Sequence, residues 1–283
     1  MARSTPARGT ADADRVALGS RLRQARRAAG LTLREVAGAL AVSAGTWSAV
    51  ENGRTRITED RLAAAAALLR TRPEDLVESP ERPEGSDWRA FPPLELEPPL
   101  AGALEAFVEL GYHGAGVRDI AQRAGLSVPG VYHHWASKQD LLVALLDLAA
   151  ADLLARARAA RAEGDGPVER FTRLVECLAL FHTHRRDLGF IGAGEMRGLG
   201  GESRARITAA RQEVQRMVDD EVAEGCRRGL MGTPLPHEAA RAVVTMCTAL
   251  PRWWSPEGPS SPEEVARQYV DFALDVVRTG HSR

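Results

Sequence analysis

Aromatic side chains are scarce in this 283-residue chain, at 5% of the sequence, and lysine occurs once, at Lys138, so arginine fills every other basic position. The three cysteines, Cys177, Cys226 and Cys247, form no CxxC pair and are odd in number. That excludes a disulfide-built secreted scaffold and fits reduced thiols in a cytoplasmic protein. No stretch of about 18 apolar residues exists, which excludes a membrane-spanning helix. Met1 to Thr10 has arginines with no apolar run behind them and does not read as a secretory signal. A Gly-rich phosphate loop, GxSxG and HExxH are all missing, and Gly192-Ala193-Gly194 follows no strand pattern. No enzyme is expected. His133-His134 has no further ligands nearby, and His182 and His184, two apart on a helix, face different ways. Neither a metal nor another cofactor is expected.

What is present is helix. The hydrophobic fraction is 44%, enough for sizeable cores, and the length suggests two domains. Leu18, Leu22, Ala25 and Ala29 recur at helical spacing, as do Leu62, Ala65, Ala66 and Leu69. Further helix-period segments lie near residues 99–111, 137–161, 167–184, 203–229, 236–254 and 262–278, and no strand alternation persists. Six of the 16 prolines (Pro80, Pro83, Pro92, Pro93, Pro98, Pro99) interrupt this pattern and mark a semi-extended linker over 79–98. Trp88, Phe91, Leu94 and Leu96 within it suggest that it docks on a neighbouring surface. The fold class is therefore all-α. The expected order is a disordered tail (1–14), a first domain (15–78), the linker, a second small domain (99–145) and a helical bundle (146–283).

Net charge is −1, which at first argues against a nucleic-acid partner. Residues 1–72, however, hold 13 arginines against six acids, an excess of seven, so the remainder sums to −8. Two segments then align at an offset of 84 without a gap, residues 32–47 and 116–131. Arg34, Glu35, Val36, Ala37 and Val42-Ser43 match Arg118, Asp119, Ile120, Ala121 and Leu126-Ser127. A small residue at 37 or 121 suits a helix crossing. Positions 41 and 125 fall in a turn that favours left-handed backbone. Ser43 and Ser127 suit the N-cap of the next helix, and Thr32 with Glu35 makes a capping box. A helix, a tight turn and a capped second helix form a helix-turn-helix, the unit that sets a reading helix in the DNA major groove.

The first segment resembles the Cro/C1-type (XRE) helix-turn-helix family over residues 15–78. The resemblance rests on Leu18-Gly19-Ser20-Arg21-Leu22-Arg23, Gly30-Leu31-Thr32-Leu33-Arg34-Glu35-Val36-Ala37, Val42-Ser43 and Trp47-Ser48-Ala49-Val50-Glu51-Asn52-Gly53. It implies a five-helix domain with base reading by Ser43, Ala44, Gly45, Thr46, Ser48 and Asn52, and DNA-backbone contacts by Arg54 and Arg56. Leu33 stands where that family often has a glutamine, and Ala41 replaces the turn glycine. The reading face is mostly small, so modest sequence selectivity anchored by arginines is expected.

The second segment resembles the TetR family over residues 99–280. The matching run is Ala106-Phe107-Val108-Glu109-Leu110-Gly111-Tyr112-His113, Val117-Arg118-Asp119-Ile120-Ala121, Gly125-Leu126-Ser127, Val131-Tyr132-His133-His134-Trp135 and Ser137-Lys138-Gln139-Asp140-Leu141-Leu142. The resemblance gives groove contacts to Ser127, Val128, Pro129, Gly130 and His133, and phosphates to Tyr132 and Lys138. Ser137 with Asp140 is a capping box that places Lys138 in the first turn of the next helix. Beyond it, Leu146, Leu153, Phe171, Leu174, Leu178 and Phe181 recur as a helical core. The resemblance adds a sensor pocket and a homodimer interface from residues 236–254 and 262–278, containing Trp253 and Trp254. The stretch 252–266 looks like the subgroup that answers to CoA thioesters. That likeness implies an acyl pocket lined by Phe171, Leu174, Phe190 and Met196, with Arg197 at a polar head group.

The expected protein is a DNA-binding transcriptional regulator, homodimeric and cytoplasmic. It is a repressor released from a double-stranded DNA operator by a small hydrophobic effector such as an acyl-CoA. The alternative is a protein-interaction adaptor whose first helix-turn-helix docks a partner protein, leaving DNA to the TetR-like unit.

Overall fold

The computed structural model describes residues 8–73, 76 and 87–278, which contain helices and no strand. Helices α1 (Arg8–Ala28), α2 (Leu33–Ala39), α3 (Ala44–Glu51) and α4 (Glu59–Leu68) come first. After an extended stretch follow α5 (Pro98–Gly114), α6 (Val117–Arg123), α7 (Val128–His134) and α8 (Lys138–Glu163). The chain then runs through α9 (Pro167–His184), α10 (Arg186–Gly194), a 3-10 turn (Glu195–Gly198) and α11 (Gly201–Arg227), to α12 (Pro236–Thr248), α13 (Leu250–Trp253) and α14 (Pro262–Val277). No helix among the described residues is long and apolar enough to cross a membrane.

Two compact units emerge, one drawn from Met1–Gly85 with Leu126–Asp140, the other from Ser86–Gly125 with Leu141–Arg283. The sequence boundaries differ from this in two places. Residues 8–14, expected in a disordered tail, belong to α1, because no proline separates Arg8 from Ala28; residues 1–7 lie outside the described residues. The expected fifth helix of the first domain falls largely outside them as well. The segment 99–145 is divided between the units, since Trp135, just after α7, meets arginines of α1 and Asp140, in the first turn of α8, pairs with Arg54 beyond α3 (below).

The first unit closes around Leu22, Val36, Ala37, Trp47, Ala65 and Ala66, each at most 2% exposed. In the second unit α9 forms the centre. Phe171, Leu174, Val175, Cys177, Leu178 and Ala179 are at most 1% exposed and pack with residues of α11, α12 and α14. Sequence periodicity reads 236–254 as one helix. Pro251 lacks the amide that would continue the ladder, and the chain restarts as the one-turn α13. Another break falls at Arg185 (φ −112°, ψ 38°), which separates α9 from α10 and carries no glycine or proline to announce it.

The linker docks. Trp88 is 3% exposed and joins the core of the second unit, its Nε1 donating to Glu163. Arg156 donates to the carbonyls of Trp88 (2.6 Å) and Ala90 (2.9 Å), and Arg89 bridges Glu163 (2.9 Å) and Glu176 (2.8 Å). Residues 79–86 of the expected linker lie outside the described residues.

His182 is buried in α9, its Nδ1–H donating to the Leu178 carbonyl (2.8 Å). Burial pushes its pKa down to about 4, against the pull of that hydrogen bond and with help from nearby Arg211. The unfolded chain takes up the proton first as pH falls below about 6.5, so the stability tied to neutral His182 is complete above that pH. It is lost as pH falls towards 4, by about 3 kcal/mol. Thermal melts between pH 7 and 4.5 should show a flatter acid limb in His182→Asn than in the wild type. An equally steep limb in both would rule His182 out as the source.

Candidate nucleic-acid interface

Local chemistry builds both reading helices. The Thr32 hydroxyl accepts from the Glu35 amide (3.1 Å) while the Glu35 carboxylate accepts from the Thr32 amide (2.8 Å). Those bonds to Thr32 also hold the Glu35 carboxyl below its ordinary pKa. Ser43 caps α3 by accepting from the Thr46 amide (3.0 Å), and Ser127 caps α7 by accepting from the Gly130 amide (3.2 Å). The small crossing residues Ala37 and Ala121 are 2% and 3% exposed. Both turns use left-handed backbone, with Gly125 at φ 65° and Ala41 at φ 52°. Gly125 takes this conformation without steric cost, whereas the Cβ of Ala41 makes it about 1–2 kcal/mol more expensive. Behind α6, a Cβ on Gly102 of α5 would lie 2.7 Å from the Ile120 carbonyl oxygen, so only glycine permits this α5–α6 approach.

Ser43 and Gly45 on α3 are exposed, while Ala44, Thr46 and Ser48 are half-buried. On the second reader Ser127, Pro129, Tyr132 and His133 are exposed, and Val128 and Gly130 half-buried. Tyr132 stands 50% exposed. Ser137 caps α8 by accepting from the Asp140 amide (3.1 Å) and donates its hydroxyl to Asp140 Oδ2 (3.0 Å), and α8 begins at Lys138 as the spacing predicts. Each short helix thus presents an exposed face, small on α3 at Ser43 and Gly45 and larger on α7 at Pro129, Tyr132 and His133.

Asn52 does not fit the base-reading role. It is 7% exposed, its Oδ1 accepts from Arg23 and its Nδ2 donates to Ser48 Oγ (3.3 Å), so its polar groups serve the end of α3. Arg54, expected on the DNA backbone, lies 3.6 Å from Asp140 in an ion pair that leaves its side chain 46% exposed. Arg56 is exposed.

The sequence reading missed an arginine and acid network within the first unit. Arg26, 0% exposed, forks onto Glu51 with bonds of 2.6 and 2.9 Å and donates a third to the Leu31 carbonyl (2.9 Å). Trp47 Nε1 donates to the same carboxylate (2.6 Å). Arg23 reaches the Glu51 carbonyl (3.1 Å) as well as Asn52. Arg23 and Arg27, four residues apart on α1, also lie over the Trp135 ring at 4.9 and 4.1 Å from its centroid. Arg23 therefore touches residues at the C-terminal ends of both reading helices. Charge excess alone assigns such arginines to phosphates; the spacing of Arg23, Arg26 and Arg27 on one helix was the available signal.

Of the five expected effector residues, the four whose side chains are described do not gather around one cavity. Phe171 and Leu174 are both 0% exposed inside the second unit's core, on the face of α9 that packs against α11, α12 and α14. Phe190 is 37% exposed, Met196 is half-buried, and the Arg197 side chain lies outside the described residues. Two clefts in this unit, of about 1040 and 520 Å³, have none of Phe171, Leu174, Phe190 and Met196 in their walls. Among the described residues no group of three His, Cys, Asp or Glu side chains gathers as a metal site.

Comparison with known proteins matches this architecture. The family model described as "Bacterial regulatory proteins, tetR family" covers residues 100–145, and "Tetracyclin repressor-like, C-terminal domain" covers 164–277. A separate "Helix-turn-helix domain" model covers residues 17–79. The HTH-type transcriptional repressor KstR2 of Mycobacterium tuberculosis is 30% identical over 179 residues, 62% of this chain and 88% of that protein. Its solved structure superposes with a TM-score of 0.62 at 25% identity, over 66% of this chain and 98% of that one. The TetR-family regulator PfmR of Thermus thermophilus gives a TM-score of 0.58 at 31% identity, over 65% and 99% of the two chains. The HTH-type transcriptional activator FasR of Mycolicibacterium smegmatis is 38% identical over 85 residues, 30% of this chain and 39% of that protein.

Proposed function

Because this chain belongs to the TetR family of bacterial regulatory proteins and is a DNA-binding transcriptional regulator, we propose that it acts as a homodimeric repressor that a small hydrophobic effector releases from its operator. The observation that carries the reading is the second reader. Ser127 caps a short helix whose Pro129, Tyr132 and His133 face outward, and Lys138 opens the helix that leads into the bundle. The first helix-turn-helix, read as Cro/C1-like, adds its own exposed face at Ser43 and Gly45. An effector of the acyl-CoA class remains the reading suggested by residues 252–266.

Exposed apolar side chains support the dimer. Trp253 (59%), Phe272 (55%) and Val276 (42%) stand on α13 and α14, with Trp253 stacked on Tyr269 at 6.4 Å. Apolar and aromatic groups at such exposure are what a subunit interface covers.

Fluorescence anisotropy with the DNA upstream of the protein's own gene tests the regulator reading. Salt-sensitive binding that prefers this DNA over an unrelated duplex is expected, and its absence would sink the proposal. Glutamates at Ser43 and Gly45 distinguish the adaptor alternative, because carboxylates on a groove-reading face repel DNA. Unchanged affinity and an unchanged footprint in Ser43→Glu/Gly45→Glu favour a protein partner for the first unit.

A further inference from the structure

The larger cleft, of about 1040 Å³, lies wholly in the second unit. Its lining comes from the extended segment 91–96, from α5 through Leu104 and Glu105, from residues 183–188 around the α9–α10 break, and from the loop 254–262. Phe91, Leu94, Leu96, Leu104, Leu188 and Trp254 give it a broad apolar surface. At the break two adjacent arginines diverge. Arg185 Nη2 donates to the Pro92 carbonyl (2.8 Å), tying down one wall, and Arg186 Nε donates to the Trp254 carbonyl (2.9 Å), tying down another.

Arg185 keeps an unused donor. Its side chain is 9% exposed, and its buried Nε has no hydrogen-bond acceptor among the described residues. The nearest carboxylate oxygen, on Asp152, stands 3.7 Å away, beyond hydrogen-bond reach. A buried donor without a partner calls for an explanation, and beside an open cleft a bound acceptor is one that the lining can accommodate. The segment 91–96 is also poorly anchored by backbone, since Pro92 and Pro93 have no amide to donate. Side chains hold it instead: Phe91 stacks on His184 (4.5 Å, 10°), and the Arg156 guanidinium lies 3.7 Å from the Phe91 ring centroid.

We infer that this cleft binds an amphipathic monoanion, an apolar body ending in a carboxylate, with the carboxylate received at Arg185 and Arg186. A planar carboxylate matches the guanidinium fork, and an apolar chain or ring system matches the six hydrophobic side chains. Glu105 and Asp187, the latter 3.4 Å from Arg186 Nη1, disfavour a more highly charged ligand. Residues 91–96 connect the first helix-turn-helix to α5, so a molecule seated against them acts on the segment that carries the first reader. That regulatory role rests on the functional reading above; carboxylate binding itself does not.

Calorimetry and tryptophan fluorescence on the full chain, below micellar concentrations, test the site with dodecanoate, dodecanol and dodecyltrimethylammonium. Dodecanoate should saturate at one molecule per chain and bind about tenfold or more tighter than the alcohol, with no saturable binding of the cation. Leu104→Trp, which fills the cleft from α5, should weaken dodecanoate by a similar factor. Arg185→Lys, which keeps the charge but lacks Nε, should lose most of the preference for acid over alcohol. If its thermal melt shows that it does not fold, Arg186→Ala serves in its place. Absence of saturable dodecanoate binding, equal affinity for the alcohol, or unchanged affinity in Leu104→Trp each overturns the site. Operator binding is measured alongside. Its loss in ligand-free wild type defeats the regulator reading alone, and its presence without dodecanoate binding defeats the cleft alone.

Discussion

Glu51→Ala should unfold the first helix-turn-helix while leaving the second unit's melting transition in place. Removing the carboxylate strands the Arg26 guanidinium, which is 0% exposed and among the described residues otherwise donates to the Leu31 carbonyl alone. It also leaves Trp47 Nε1 without its acceptor in the centre of the core. Breaking one side of a buried pair costs about 3–5 kcal/mol, and a domain of this size has a total stability of only about 3–9 kcal/mol. A full-chain thermal melt should therefore split, and trypsin should cut at Arg23, Arg26 and Arg27 under conditions where wild type resists. Glu51→Gln keeps an acceptor for Trp47 but not the charge, and should fall between the two. The paired swap Arg26→Met/Glu51→Leu removes both ions and should recover much of the loss, as buried pairs replaced by apolar groups often do. If Glu51→Ala melts within about 1 kcal/mol of wild type, the network is not what holds α1 to α3.

What could be read from the sequence was local. The caps at Thr32, Ser43, Ser127 and Ser137 involve partners three residues away, and all form as their spacing indicates. The repeat at an offset of 84 likewise located both turns, because turn geometry is fixed by a handful of adjacent residues. Long-range pairing was not legible. Glu51 lies 25 residues from Arg26 and Asp140 lies 86 residues beyond Arg54, so an arginine count assigns to phosphates several cations that the fold uses internally. Asn52 failed for the same reason, its partner being Arg23 on another helix. Phe171 and Leu174 show a different limit. Helical periodicity identifies an inward face but does not separate a packed core from a pocket wall, and these two are core. The 91–96 wall of the cleft was half visible. Its aromatic and leucine residues signalled docking, but the arginines that receive it sit at a helix break with no sequence mark.

The second large effect should come at Tyr132 and Lys138, and salt dependence separates their roles. The tyrosine hydroxyl is neutral, so Tyr132→Phe should weaken operator binding by about 1 kcal/mol per protomer and leave the slope of log affinity against log salt unchanged. Lys138 releases a counterion when it meets a phosphate, so Lys138→Ala should cost about 1.5–3 kcal/mol per protomer. In a dimer it should also reduce the slope by roughly two, close to 0.9 for each phosphate no longer neutralised. The double variant then loses about 5–8 kcal/mol per dimer, more than about 1,000-fold in affinity. The loss should be nearly equal on the operator and on an unrelated duplex, because phosphate contacts position a protein without reading sequence. His133→Ala, at an exposed site on the reading helix itself, should instead narrow the gap between operator and unrelated DNA. Residues 96–140 hold three basic against five acidic side chains, so the second reader has little bulk attraction to fall back on. An unchanged salt slope in Lys138→Ala would place that lysine in solvent and return the electrostatic grip to the arginines of the first unit.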